Sequence, residues 1–149
     1  MLKKAMLSFG FLLMVSSLTY AEDKYSISGD VFFERDSPIY MNLLTKETYQ
    51  KPNRREAHPP PFGMYIKLTP EQIKAKKAPF KFVGIPKGSY FIIAFQDLNE
   101  NKKFDGHFDG SAAEPVGTYK KSNFFDSWDK RQFTVDKDIR GIKINIEEH

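Results

Sequence analysis

The sequence predicts an all-β chain: a two-sheet antiparallel β-sandwich with one short helix. Apolar and polar residues alternate from Tyr25 to Glu34 and again from Ile142 to Glu147, the period-two pattern of a half-buried strand. Ser89 to Phe95 is instead apolar on both faces, with Tyr90, Ile92 and Ala94 on one and Phe91, Ile93 and Phe95 on the other, as a covered central strand requires. Six or seven short strands punctuated by turn residues leave two packed sheets as the architecture that buries their apolar faces.

In chain order, Tyr25, Ile27, Val31 and Phe33 form the inward side of the first strand. Asp36-Ser37-Pro38 turns the chain, and Ile39 to Leu44 reads as a second strand. Lys46 to Gly63 carries Pro52, Pro59, Pro60 and Pro61 among charged residues, a composition that predicts a long surface loop rather than a strand or helix. Thr69-Pro70-Glu71-Gln72 has the chemistry of a helix start, with Thr69 as cap, Pro70 at the first helical position and Gln72 closing a capping box. That helix ends before Pro79. Phe80 to Val83 is strand-like, and Gly84-Ile85-Pro86-Lys87-Gly88 is turn chemistry. Phe133 to Val135 predicts a short strand, and Ile142, Ile144 and Ile146 face inward on a closing one.

Lys3 and Lys4 precede uncharged residues from Ala5 to Ala21, and Thr19-Tyr20-Ala21 places small residues where a signal peptidase cuts. This predicts a secretory signal peptide over 1–21 and a single domain over 22–149. The uncharged run includes Ser8, Gly10, Ser16 and Ser17 and falls short of a membrane span. The expected location is therefore periplasmic or secreted, with the cleaved chain not embedded in a membrane. Cysteine is absent, which excludes lipid attachment at a cysteine, disulfides and thiolate chemistry. Without Lys3 and Lys4 the 23 Lys and Arg fall to 21 against 19 Asp and Glu. That balance gives no basic stripe for nucleic acid, and the local clusters at Lys51 to Arg55 and Lys74 to Lys77 read as solvated surface.

The strand from Ser89 runs into Asp97-x-Asn99-x-Asn101, followed by Lys103, Phe104 and Asp105. Oxygen side chains at alternate positions, a backbone carbonyl at Lys103, a hydrophobe and a further carboxylate suit a loop that wraps Ca²⁺. Asp109 or Glu114 can supply a last carboxylate. Lys102 stands where an EF-hand loop has Gly and Phe108 where it has Glu, so this is no EF-hand. Few charges and two lysines imply weak binding, at about 10⁻⁴ to 10⁻³ M. The same residues also make a good turn without any metal.

Asp105, His107 and Asp109 share a face on an extended segment and form a thinner ligand set for a transition metal. No nucleophile elbow, His-Glu-x-x-His or phosphate-cradling loop occurs, so the chain is expected not to be an enzyme. A small metal-dependent hydrolase built on those three residues is the alternative, and a structural domain without ligand is another. Most of the 14 Phe must fill the core. Tyr119, Phe124, Phe125 and Trp128 cluster without clean alternation; they fold onto the sandwich edge or form an aromatic platform for a glycan or protein of the cell envelope.

Pro86-x-Gly88-x-Tyr90, then Asp97-x-Asn99-x-Asn101 with Asp105, then Glu114-Pro115-x-Gly117 resembles a family of small exported bacterial proteins of unknown function. The downstream Phe-Phe-Asp, Phe133-Thr-Val and Ile-rich strand are also similar, so the likeness spans roughly Phe80 to Ile146. The resemblance implies an Ig-like or transthyretin-like sandwich with no established enzymatic activity, and it singles out Asp97, Asn99, Asn101, Asp105 and Glu114. The family's loop commonly has glycine where this chain has Glu100 and Lys102, and Thr118-Tyr119-Lys120 replaces its usual Phe-Ser-Asn. Together these readings predict an exported, non-catalytic binding or accessory module with a weak Ca²⁺ loop.

Overall fold

The computed structural model describes residues 22–106, 114–120 and 127–148. The predicted signal segment, His107, Asp109, Phe124 and Phe125 lie outside the described residues.

Among the described residues, eight strands form the two sheets. The first sheet orders as β4 (Lys77–Pro86), β1 (Lys24–Phe32), β8 (Ile139–Asn145), and the second as β3 (Gly63–Ile66), β2 (Ile39–Leu44), β5 (Gly88–Gln96), β6 (Val116–Thr118), with β7 (Phe133–Val135) also on β5. Pairing is antiparallel except between β1 and β8, which run parallel with Val31 opposite Ile144. The two sheets are otherwise antiparallel, as the sequence predicts. A parallel partner needs a long crossover, and here nearly the whole domain supplies it.

Alternation places Ile27, Val31 and Phe33 inward from β1 and its end, facing Ile39, Met41 and Leu43 of β2 and Ile92 and Ala94 of β5. Phe80, Phe82, Ile142 and Ile144 complete the interior. Each of the large side chains contributes about 1.5–3 kcal/mol by leaving water. Residue 29 interrupts the apolar series because a Cβ on Gly29 would lie 1.9 Å from the Ile142 carbonyl oxygen. Only glycine permits the close approach of β1 and β8.

The outer face of β5 is also covered, as its double-sided apolar pattern predicts. Phe91 packs with Leu44 and Trp128, with half-buried Tyr49 and Ile93 against them. Tyr49 comes from α1 (Lys46–Gln50), a helix within the segment expected to be a loop. Its start is set by Thr45 and Thr48, each accepting the other's backbone N–H at 3.2 and 2.8 Å. The second helix, α2 (Pro70–Ala75), begins as predicted, with Thr69 and Gln72 bonded reciprocally at 2.9 and 3.3 Å. Lys76 ends it in the left-handed conformation at φ 52°. A third helix, α3 (Trp128–Arg131), carries Trp128 into the outer cluster.

The two sheets meet along one seam. Val116 of β6 and Glu147, just beyond β8, exchange backbone hydrogen bonds of 3.0 and 3.1 Å. Gly117 is required there, since its Cβ would stand 2.1 Å from the Asn145 carbonyl oxygen.

Candidate functional site

The alternation of β5 that buries Phe91 and Phe95 on the outer side delivers Asp97 to the same side, where it is 3% exposed. A carboxylate leaving a central strand there must find donors. Its Oδ1 accepts from the Asn101 N–H at 3.2 Å and its Oδ2 from the Lys102 N–H at 2.8 Å. Asn99 and Asn101 each donate a side-chain N–H to one oxygen of Asp105, at 2.7 and 2.8 Å. Their own oxygens accept the N–H groups of Asn101 and Lys103. The alternate-residue pattern thus gathers Asp97, Asn99, Asn101 and Asp105 into one polar cluster.

Glu100 and Lys102 adopt φ of 59° and 62°. That left-handed backbone suits glycine, and both side chains disfavour it.

Glu114 closes the loop at its base. Its Oε1 accepts from the Leu98 N–H at 2.8 Å and its Oε2 from the Asp105 N–H at 3.0 Å. Burial pushes the Glu114 carboxyl above the ordinary range; the two N–H donors oppose the shift, while nearby Asp97 and Asp105 add to it. None of the ion pairs among the described residues involves Asp97, Asp105 or Glu114. Lys102 and Lys103 serve the cluster with backbone N–H groups.

The Pro-rich segment braces the same loop. Glu56 and Lys103 form an antiparallel bridge, with Ala57 N–H bonded to the Lys102 carbonyl and Phe104 N–H to the Arg55 carbonyl, both at 2.8 Å. The Lys103 carbonyl stays out of that bridge. Arg55 Nη1 donates to the Gly106 carbonyl at 3.0 Å. Behind the segment stands Asn42 of β2, 1% exposed, whose amide holds the Glu56 carbonyl and the His58 N–H. Sequence reasoning passed over Asn42 and Arg55. A signal for Asn42 was present, as the one strongly polar residue in Ile39-Tyr-Met-Asn-Leu-Leu44.

An aromatic row borders the loop. Tyr65, Tyr40 and Phe95 are register partners across β3, β2 and β5, with ring centroids 5.0 and 5.7 Å apart, and Phe104 lies 5.8 Å beyond Phe95. Burial pushes the Tyr40 hydroxyl up, and Tyr65, Asp97 and Glu100 add to the shift. Tyr119 and Trp128 each pack against another aromatic ring. Tyr119 meets Phe133 edge-on at 5.1 Å, and buried Trp128 lies 5.5 Å from Tyr49. Trp128 is 8% exposed, whereas Tyr119 is only half-buried at the edge of the core.

No three Asp, Glu or His side chains among the described residues are grouped to hold a metal by themselves. Among the described residues, a cation at Asp97–Asp105 would draw on Asn oxygens and the Lys103 carbonyl as well. The donor set is all oxygen, which suits a hard ion.

A family profile described as "uncharacterized protein conserved in bacteria (DUF2141)" matches residues 34–143. No curated protein and no solved structure matches the chain. The matched region covers most of the sequence, from just past β1 into β8, and the chain belongs to this family.

Proposed function

We propose that this member of the family is an exported, non-catalytic β-sandwich that binds a protein or glycan of the cell envelope through a surface ordered by weakly held Ca²⁺ at residues 97–105. The observation that carries the reading is the gathering of Asp97, Asn99, Asn101 and Asp105 over the buried Glu114, with no ion-paired Lys or Arg on any of the three carboxylates among the described residues. A hard cation would neutralise that charge. It would take the place of the two Asn N–H donors on Asp105, since each amide has an oxygen to present instead. The N-terminal run from Lys3 to Ala21 supports export. No helix among the described residues is long and apolar enough to cross a membrane.

Thermal melts in EDTA, in millimolar Ca²⁺ and in millimolar Mg²⁺ test the reading. A ligand at 100 times its Kd adds about 2.7 kcal/mol, and at a few times Kd still about 1, so Ca²⁺ raises the midpoint by several degrees. Asp97→Ala and Asp105→Asn abolish that rise, and the second change leaves the EDTA midpoint nearly unaltered. A midpoint indifferent to Ca²⁺, or a rise that survives both substitutions, reduces the loop to turn chemistry in a structural domain.

A further inference from the structure

Sheet edges expose unpaired backbone groups, and this chain treats its edges unequally. The long edge strand β4 carries exposed Lys77, Pro79 and Lys81, the charges and missing N–H that discourage a second strand. The chain beyond β8 is engaged at the Val116–Glu147 seam. Edge strand β3, Gly63-Met64-Tyr65-Ile66, has neither charge nor proline, and Tyr65 is 54% exposed.

The ladder fixes which groups β3 offers. Leu43 N–H bonds the Phe62 carbonyl at 2.7 Å, and the register pairs Met41 with Met64 and Tyr40 with Tyr65. Hydrogen-bonded and non-bonded pairs alternate in an antiparallel ladder. Tyr65 therefore points its N–H and carbonyl away from β2. The Gly63 N–H, facing the same way, is satisfied by the Pro59 carbonyl at 3.0 Å.

We propose that β3 is the pairing edge of a symmetric homodimer, with Tyr65 of one copy opposite Tyr65 of the other. The segment is self-complementary about that residue. Antiparallel pairing sets Met64 against Ile66 and Gly63 against Lys67, so no like charges meet. The two Tyr65 groups exchange both hydrogen bonds, and the aromatic row of Phe95, Tyr40 and Tyr65 continues into its symmetric copy. Such cross-strand aromatic pairs are favourable, and an isologous contact closes at two copies. A four-residue edge buries less than a standard interface, so the dimer is weak and depends on concentration.

Sedimentation of the purified protein from micromolar to millimolar concentration reads the state directly. The wild-type chain dimerises as concentration rises, Tyr65→Lys weakens association at least tenfold, and Val83→Lys on the β4 edge does not. Melts of both variants establish that they are folded. Because the chain has no cysteine, Tyr65→Cys adds an independent readout: a hydrogen-bonded pair brings Cα atoms to about 5.5 Å, within disulfide reach, so mild oxidation links two copies. Val83→Cys does not link. A monomer at every concentration overturns the proposal, as expected if β3 instead takes an extended segment of another protein. A dimer that survives Tyr65→Lys overturns it too.

Discussion

The side-chain oxygen of Asn42 accepts the backbone N–H of His58 at 3.1 Å, while its amide nitrogen donates to the Glu56 carbonyl at 2.8 Å. One buried residue of β2 thereby fixes the segment that braces the Asp97–Asp105 loop, and the desolvation of His58 that lowers its pKa accompanies this docking.

Asn42→Ala leaves both backbone groups without their partner. The expected cost is about 2–3 kcal/mol, read as a lower urea midpoint at unchanged slope. Tryptic cutting after Arg54 and Arg55 quickens in parallel. A loss below about 0.5 kcal/mol would show that water replaces the amide at no cost and that the clamp is incidental.

Lys102→Gly stabilises the protein. A left-handed residue with a Cβ costs about 1–2 kcal/mol, and glycine gives back about 0.5–1 through the greater entropy of its unfolded chain. The expected net gain is about 0.5–1 kcal/mol, measured by thermal melt in EDTA. Glu100→Gly behaves likewise, whereas Lys102→Val destabilises because a β-branched residue tolerates positive φ least. Equal midpoints for the Gly and Val variants would contradict the backbone angles.

Glu114 gives stability an unusual pH slope. Its folded-state pKa is raised, chiefly by burial, so the folded protein binds the proton more tightly than the unfolded chain. Its stabilising contribution is complete below the ordinary glutamate value and is lost as pH rises through the raised folded value. Against Glu114→Gln, which does not titrate, the wild-type protein gains stability as pH falls through that window. Melts from acid to neutral pH in EDTA measure the difference, and parallel profiles would sink the assignment.

Much of this architecture was readable in residue order, because the responsible interactions are local. Period-two alternation marked β1 and β8, a run apolar on both faces marked β5, and Thr69-Pro70-Gln72 announced α2 through bonds spanning three residues. The spacing of Asp97, Asn99, Asn101 and Asp105 likewise foretold a side-chain cluster. What escaped depends on distant partners. Helix α1 is only five residues long, and its box uses Thr48 in place of Glu or Gln beside a Pro-rich run. Strand β3 is four residues whose identity comes from lying beside β2. Trp128 is buried only because α1 and β5 bring Tyr49 and Phe91 to it.

The parallel pairing of β1 with β8 has a temporal consequence. The strand made early in synthesis finds its neighbour only after β8 has emerged, so one side of the first sheet stays open while the rest of the domain is assembled. Contacts this remote in sequence close slowly, since a long loop must be ordered before they return any free energy. Until then the apolar side of β1 is incompletely covered, a state open to capture by a chaperone. Placing Ile144 beside Val31 makes the closing of the core wait for the synthesis of β8.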